Sequence, residues 1–313
     1  MSRLFSPALL ALLLVFAVSV RADEPEAADP KPTPAEGADA AGEKYLLRYK
    51  FEPGETLRSE VIHQAKVRTT VQGNTQTAET KSISIKIWRI ESVADDGSAT
   101  FVHMVDSIDM WQRATGRKEL HYNSKTDDEI PPGYEAVAAA VGVPLSTVTM
   151  DTRGEIIDRE ENHNQPTAAS SQMTMPLPEN EVVIGESWTS PSEIEAKDRN
   201  GAVKKIQTRQ KFTLESVEDG IATVKIDAQI LTPITDPAIE VQLVQRLSSG
   251  QVKFDLAAGR VLSQQLDLDR HIVGFGGPAS SMHYVTRFSE ELLPPETPAA
   301  ETAEKSETAE KKR

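Results

Sequence analysis

The stretch Leu57-Arg58-Ser59-Glu60-Val61-Ile62-His63-Gln64-Ala65-Lys66-Val67-Arg68-Thr69-Thr70-Val71-Gln72 decides the fold. Its odd positions read Leu, Ser, Val, His, Ala, Val, Thr, Val, and its even positions Arg, Glu, Ile, Gln, Lys, Arg, Thr, Gln. Successive side chains of an extended chain point to opposite faces, so a period of two predicts one long strand with a buried and a wet face. Gly73-Asn74 predicts a tight turn. The return strand carries Ile83, Ile85 and Ile87, then Trp88 and Ile90. Its apolar set changes parity near Ile87-Trp88, which predicts a β-bulge. Asp95-Asp96-Gly97 turns the chain into a third strand, Ala99 to Trp111, and Thr115-Gly116 into a fourth ending near Tyr122.

The same pattern is written again downstream. Trp188 to Ala196 reads as a strand and Asn200-Gly201 as a hairpin turn. Ile206, Thr208, Phe212 and Leu214 line one face of the next strand, and Asp219-Gly220 turns it into Ala222, Val224, Ile226, Ala228 and Ile230. Pro53-Gly54-Glu55-Thr56-Leu57 matches Ile184-Gly185-Glu186-Ser187-Trp188, and Ile90-Glu91-Ser92-Val93 matches Leu214-Glu215-Ser216-Val217. Val148 to Ile156 matches Val252 to Val261, each a strand, a Gly turn and a strand. Two short helices interrupt the strands. Tyr134 to Val141 is Ala-rich; Ala238 to Leu247 follows the cap Asp236-Pro237, with Gly250 as its stop. The expected fold is mainly β: two tandem pseudo-symmetric antiparallel meander units, residues 43–170 and 171–294, forming a half-barrel, a barrel or a sandwich.

The segment Pro176-Leu177-Pro178-Glu179, Val182 and Gly185-Glu186-Ser187-Trp188 resembles a motif of exported bacterial proteins carrying a widespread uncharacterised domain, as does Tyr49-Lys50-Phe51-Glu52-Pro53-Gly54-Glu55. The resemblance covers most of residues 45–290. It implies export and a β fold and no particular chemistry. In the motif, Gly185 permits a backbone angle other residues resist, Glu186 and Ser187 can bond the turn, and Trp188 is an apolar strand-start anchor or a platform for a ligand.

Both ends read differently. Residues 1–22 carry Arg3, an apolar run from Leu9 to Val20 and the small Ala22, the pattern of a signal peptide; an uncleaved anchor is the other reading. Residues 23–42, rich in Ala, Pro and acids, read as a disordered linker, and residues 295–313 as a Lys/Glu tail of the same kind. The chain is therefore expected to be exported, periplasmic or extracellular. It has no cysteine, so it has no disulfides or thiolate chemistry. The formal charge of −14 opposes nucleic-acid binding and docking on anionic membranes. No stable membrane insertion is expected after signal cleavage.

No reaction is named by the motifs. The histidines show no metal-ligand spacing, so neither a metal, a cofactor nor a catalytic residue is expected. His63 and His103 fall at apolar-parity positions, as cavity-lining groups or as satisfied core histidines; with Trp188 they are the candidate ligand-binding residues. His163 reads as solvated, and Asp267 with Asp269, sharing a strand face, as a polar surface. Gly274 to Ser281 reads as a hairpin loop. The expected function is a non-enzymatic binding protein of the cell envelope, its partner an envelope protein or an apolar ligand. A carrier of lipid is one alternative and an extracytoplasmic hydrolase another.

Overall fold

In this computed structural model the described residues are 42–163 and 174–295. The expected signal segment, nearly all of the linker and the tail beyond Pro295 lie outside them. The first half contains β1 (Lys44–Tyr45), β2 (Thr56–Val71), β3 (Asn74–Val93), β4 (Ala99–Ala114), β5 (Leu120–Asn123), α1 (Glu135–Ala139), β6 (Pro144–Met150) and β7 (Ile156–Glu161). The second contains β8 (Val182–Val183), β9 (Ser187–Lys197), β10 (Val203–Glu218), β11 (Ile221–Ile230), α2 (Pro237–Leu243), β12 (Ser249–Asp255), β13 (Arg260–Val273) and β14 (Ser280–Leu292).

One antiparallel sheet holds all but two of the strands, in the order β7-β6-β4-β3-β2-β14-β13-β12-β11-β10-β9, with β5 beside β4. The order β7-β6-β4-β3-β2 is repeated by β13-β12-β11-β10-β9, and β14 fills the seam against β2. The sheet does not close. Its edges are β7 and β9, and β9 carries Pro191 and alternating charges, which discourage another strand from pairing there.

The duplication extends to the irregularities. β3 and β10 break register at the same place, between Ile90 and Ser92 and between Leu214 and Ser216. The Gly54 amide donates to Ile90 O at 3.0 Å and the Gly185 amide to Leu214 O at 2.7 Å. The Glu55 carboxylate accepts from its own turn at Glu52 N (2.9 Å), and Glu186 does the same at Val183 N (3.0 Å). Gly54 and Gly185 have φ of +82° and +92°, which only glycine adopts freely. Ser187 bonds Thr213 on the neighbouring strand at 2.8 Å rather than its own turn.

Two straps, residues 44–51 and 175–183, cross one end of the sheet. Lys44 pairs with Val183 and Tyr45 with Val182, antiparallel. Against them the two wings bury one face: Trp88, Ile90, Phe101, Val148 and Met150 from the first half, and Phe212, Leu214, Val224, Val252 and Phe254 from the second. We call this the inner face. Burying each such side chain stabilises by about 1.5–3 kcal/mol.

At the opposite end α2 lies on the inner face of the second wing. Asp236 caps it, accepting from Ala238 N at 3.0 Å, with Pro237 in its first turn. Its buried Ile239 and Leu243 meet Ala196 and Ile206, and the 3-10 turn that follows (Val244–Arg246) meets Val67, Leu268, Ile272, Met282 and Tyr284.

Four expectations are corrected. Gly250 does not stop the helix; it lies in β12, where a Cβ would come 1.9 Å from Gln265 O, so close strand packing requires glycine. The turn after β2 uses Gln72-Gly73, both at positive φ, and Asn74 already belongs to β3. The helical segments are shorter than expected, five residues in α1 and seven in α2. The bulge near Ile87-Trp88 sits on the neighbouring strand: β3 stays in register with β2, and β4 slips opposite Ile85–Lys86. Ile83, Ile85 and Ile87 therefore occupy the outer face, half-buried.

The hydroxyl of Tyr49 is fully enclosed. It donates to Met175 O and accepts from Met175 N, both at 3.1 Å, and so ties the two straps together. Burial pushes its pKa up, so it stays neutral at any ordinary pH. Tyr49→Phe would strand a buried amide and carbonyl, and should cost about 1–3 kcal/mol in chemical denaturation. A loss below roughly 0.5 kcal/mol would mean that the straps do not depend on this bridge.

Candidate binding trough

Between the strap-filled end and α2, the inner faces of β14, β2, β3 and β4 form an open stretch. Strand pairing lays it out in rows. Leu266, Phe288, His63, Ser82 and Met110 lie across neighbouring strands, as do Gln264, Glu290, Val61, Ser84 and Ile108. The floor along β3 is small, Ala78, Thr80, Ser82 and Ser84, and half-buried Phe288, Val61, Val105, Ile108 and Met110 stand around it. Strand spacings make this region roughly 15 Å wide and roughly 20 Å long.

Its boundary with the apolar plug is polar. Lys86 and Glu290 form an ion pair, with side chains only 17% and 11% exposed. Gln264 donates to Glu290 at 2.9 Å, and Lys86 Nζ lies 4.6 Å from the centre of the Trp88 ring. The next row holds Trp88, His103 and Ser146, directly opposed across β3, β4 and β6. Trp88 Nε1, His103 Nδ1 and Ser146 Oγ are all buried, and none has a hydrogen-bond partner among the described residues. A buried polar atom without a partner costs about 1–3 kcal/mol, so three in one row are a concentrated expense. Burial, and after it the cations of Lys86 and Arg159, hold the His103 pKa down at about 4.

The expected site residues separate. His103 lies in this polar row, whereas His63 is exposed on the trough floor, its Nε2 3.0 Å from Thr286 Oγ1. Trp188 belongs to the plug: it stacks on Phe212 at 5.7 Å and donates from Nε1 to Pro176 O at 2.8 Å. The His–carboxylate contacts, His121 with Asp109 (2.8 Å) and His283 with Asp269 (2.7 Å), fall on the outer face. Asp267 pairs with Arg287 at 2.7 Å, also outside. Sequence reading missed Lys86, Glu290 and Ser146. The available signal was a charged residue at an inward position, Lys86 between Ser84 and Trp88 and Glu290 two residues beyond Phe288.

The fold is thus a mainly β, antiparallel, open-sheet architecture of two tandem meanders. Residues 159–261 match the model of a family of unknown function (DUF6263). No curated protein matches the chain. Among solved structures, the chain is similar to lipovitellin, in a structure titled for its lipid–protein interactions, at 13% identity and a TM-score of 0.41 over 81% of this chain and 27% of that one. The chain thus spans about a quarter of lipovitellin. The translocator domain of autotransporter NalP from Neisseria meningitidis is similar at 8% identity and a TM-score of 0.25, covering 77% of this chain and 89% of that one. DynF from the dynemicin biosynthesis pathway of Micromonospora chersina is similar at 8% identity and a TM-score of 0.20, covering 86% and 94%. None superposes closely enough to carry an argument about ligand.

Two predictions follow from the polar boundary. Lys86→Met or Glu290→Leu alone leaves a buried charge and should cost about 3 kcal/mol, whereas the double variant should lie near wild type in urea unfolding. Additive losses in the double variant would deny the coupling. The second concerns pH. His103 stays neutral in the folded protein down to about 4, but takes a proton near 6.5 once unfolded. Its contribution is therefore flat above about 6.5 and turns unfavourable as pH falls, by up to about 3 kcal/mol near pH 4. His103→Asn should flatten the stability profile between pH 6.5 and 4. An unchanged slope in that variant would remove His103 as its source.

Proposed function

We propose that this protein is an exported, non-catalytic binding protein of the cell envelope that holds one amphipathic molecule, an extended acyl chain with a polar head, along the inner trough. The observation that carries this reading is the side-chain arrangement of the trough itself. Half-buried Val61, Val105, Ile108, Met110 and Phe288 surround a floor of small residues. Apolar groups left half in water gain by being covered, at about 25 cal/mol per Å². Beneath them the floor carries only small side chains, Ala78, Thr80, Ser82 and Ser84, over which the acyl chain would lie. At the plug end of the trough Lys86, Glu290 and Gln264 would meet the polar head. The apolar end of such a ligand would then lie towards Phe288 and Met110. Export is proposed from the signal-peptide pattern of residues 1–22.

Titration of the purified chain with a dansyl-labelled fatty acid tests this. The probe should brighten and shift to the blue at one equivalent, and an unlabelled long-chain fatty acid should displace it. Ser84→Trp, which fills the floor without touching the plug, should abolish the signal with the unfolding midpoint little changed. A wild-type protein that leaves the probe's emission unchanged would refute the reading.

A further inference from the structure

The outer face carries a different kind of site, independent of the trough. Where β2, β14 and β13 near their hairpin ends, Arg68, Thr70, His271, Ser281 and His283 line a shallow cavity of about 370 Å³. Register places them side by side. Arg68 opposes His283, His283 opposes His271, and Thr70 opposes Ser281. The two imidazoles stand edge to face, 6.0 Å apart. Every lining side chain can donate a hydrogen bond.

We propose that this cavity binds a small oxyanion, the phosphate group of a free phosphate or of a lipid headgroup. Three features converge on an anion. The chain carries 48 acidic against 34 basic side chains, yet among the described residues no carboxylate is recorded against the Arg68 guanidinium. A guanidinium suits two oxygens of one phosphate. The hydroxyls of Thr70 and Ser281, on the same two strands as Arg68 and His283, supply short donors beside it. Asp269 Oδ1 lies 2.7 Å from His283 Nε2 and can hold a proton on that nitrogen, so that Nδ1 becomes a second donor when the ring is doubly protonated.

Protonation of the histidines strengthens such a site, and the surrounding charges set how much. Arg68 on β2 and His271 on β13 lie directly beside His283, and Asp269 Oδ1 on β13 lies 2.7 Å from its Nε2. Lys66, the next outward residue on β2, shares the Glu79 carboxylate (3.0 Å) with Arg113 (2.6 Å). With both histidines charged, the cavity carries three positive charges against the one carboxylate. A divalent metal on the His pair is the competing occupant, and Arg68 in the same row repels it.

Calorimetric titration of the full chain separates these outcomes. Sulfate, whose charge is constant between pH 5.5 and 8, isolates the histidine contribution; inorganic phosphate and neutral vesicles doped with phosphatidic acid are the two source arms. Sulfate should bind about five-fold or more tightly at pH 5.5 than at pH 8. Binding should be lost in Arg68→Gln, and its pH dependence in His271→Gln/His283→Gln. Sulfate heats with this profile, together with inorganic phosphate heats that Arg68→Gln removes, support a soluble ligand. Vesicle binding that Arg68→Gln abolishes supports the headgroup. No heat with any of the three at pH 5.5, or zinc binding that Arg68→Gln strengthens while sulfate gives none, overturns the proposal. Heats unchanged in Arg68→Gln identify an adventitious ion only and also overturn it.

Discussion

The strap from Leu47 to Phe51 sets the shape of the molecule. An extended segment inside an apolar core brings backbone groups that must find partners. Here the partners come from two equivalent hairpin turns, one in each half. Tyr49 N donates to Thr152 O at 2.7 Å and Lys50 N to Gly259 O at 3.0 Å. Both turns can approach only because they contain glycine. A Cβ at Gly154 would lie 2.7 Å from the Tyr49 ring, and one at Gly259 2.7 Å from Arg48 O. Consecutive amides of one strand point in opposite directions, so the turns grip the strap from its two sides. A flat sheet could not bring them there; the wings must bend towards each other.

That bend explains why the second strap exists. Arg48 donates to Pro178 O at 2.8 Å and also reaches Glu179 O, holding the linker between the halves across the same end. Leu177 N donates to Arg153 O at 2.8 Å, in the turn whose other carbonyl receives Tyr49. Each half therefore contributes a lead-in that seals the core of both. The Glu55–Arg260 pair at 3.0 Å adds a further link between the first turn of one half and the last hairpin of the other.

Most of this was written in the sequence as short-range chemistry. Alternation along Leu57–Val71 and the paired Gly-Glu turns are local signals that became a strand and two turns, and the repeated Leu/Ile-Glu-Ser-Val segment, read only as a repeat, proved to carry the same bulge in both halves. The straps were not read from the sequence: Leu47, Tyr49 and Phe51 alternate with Arg48 and Lys50 as the two faces of a strand do, but the groups that Tyr49 and Lys50 bond lie over a hundred residues away. Ile83, Ile85 and Ile87 misled for the opposite reason: three strong β-formers in alternation look like a core face, yet they sit on the outer side of the sheet. The site was half legible. His103 stood out as an inward histidine, but Lys86 and Glu290 could be recognised as one pair only once β14 was known to lie beside β2, with β3 beyond it.

Sealing one end by straps divides the inner face by function. At the strap end Trp88, Phe101, Phe212 and Phe254 fill the space between the wings. At the α2 end the helix fills the second wing, but in the first wing the corresponding helix, α1, has no buried residue of its own. The two halves are alike in strands and unlike in what covers them. Between the plug and the 3-10 turn that packs on Val67, the inner face of β3 and β4 is consequently covered by neither helix, and there inward-pointing Ser82 and Ser84 replace the bulky residues found at both ends. Ion-pairing Lys86 with Glu290 at that boundary gains little over a pair of apolar side chains of similar volume, while either charge left alone would be costly. A buried charged pair that adds little stability, in a part of the sheet left uncovered, is where a constraint other than folding is expected to act.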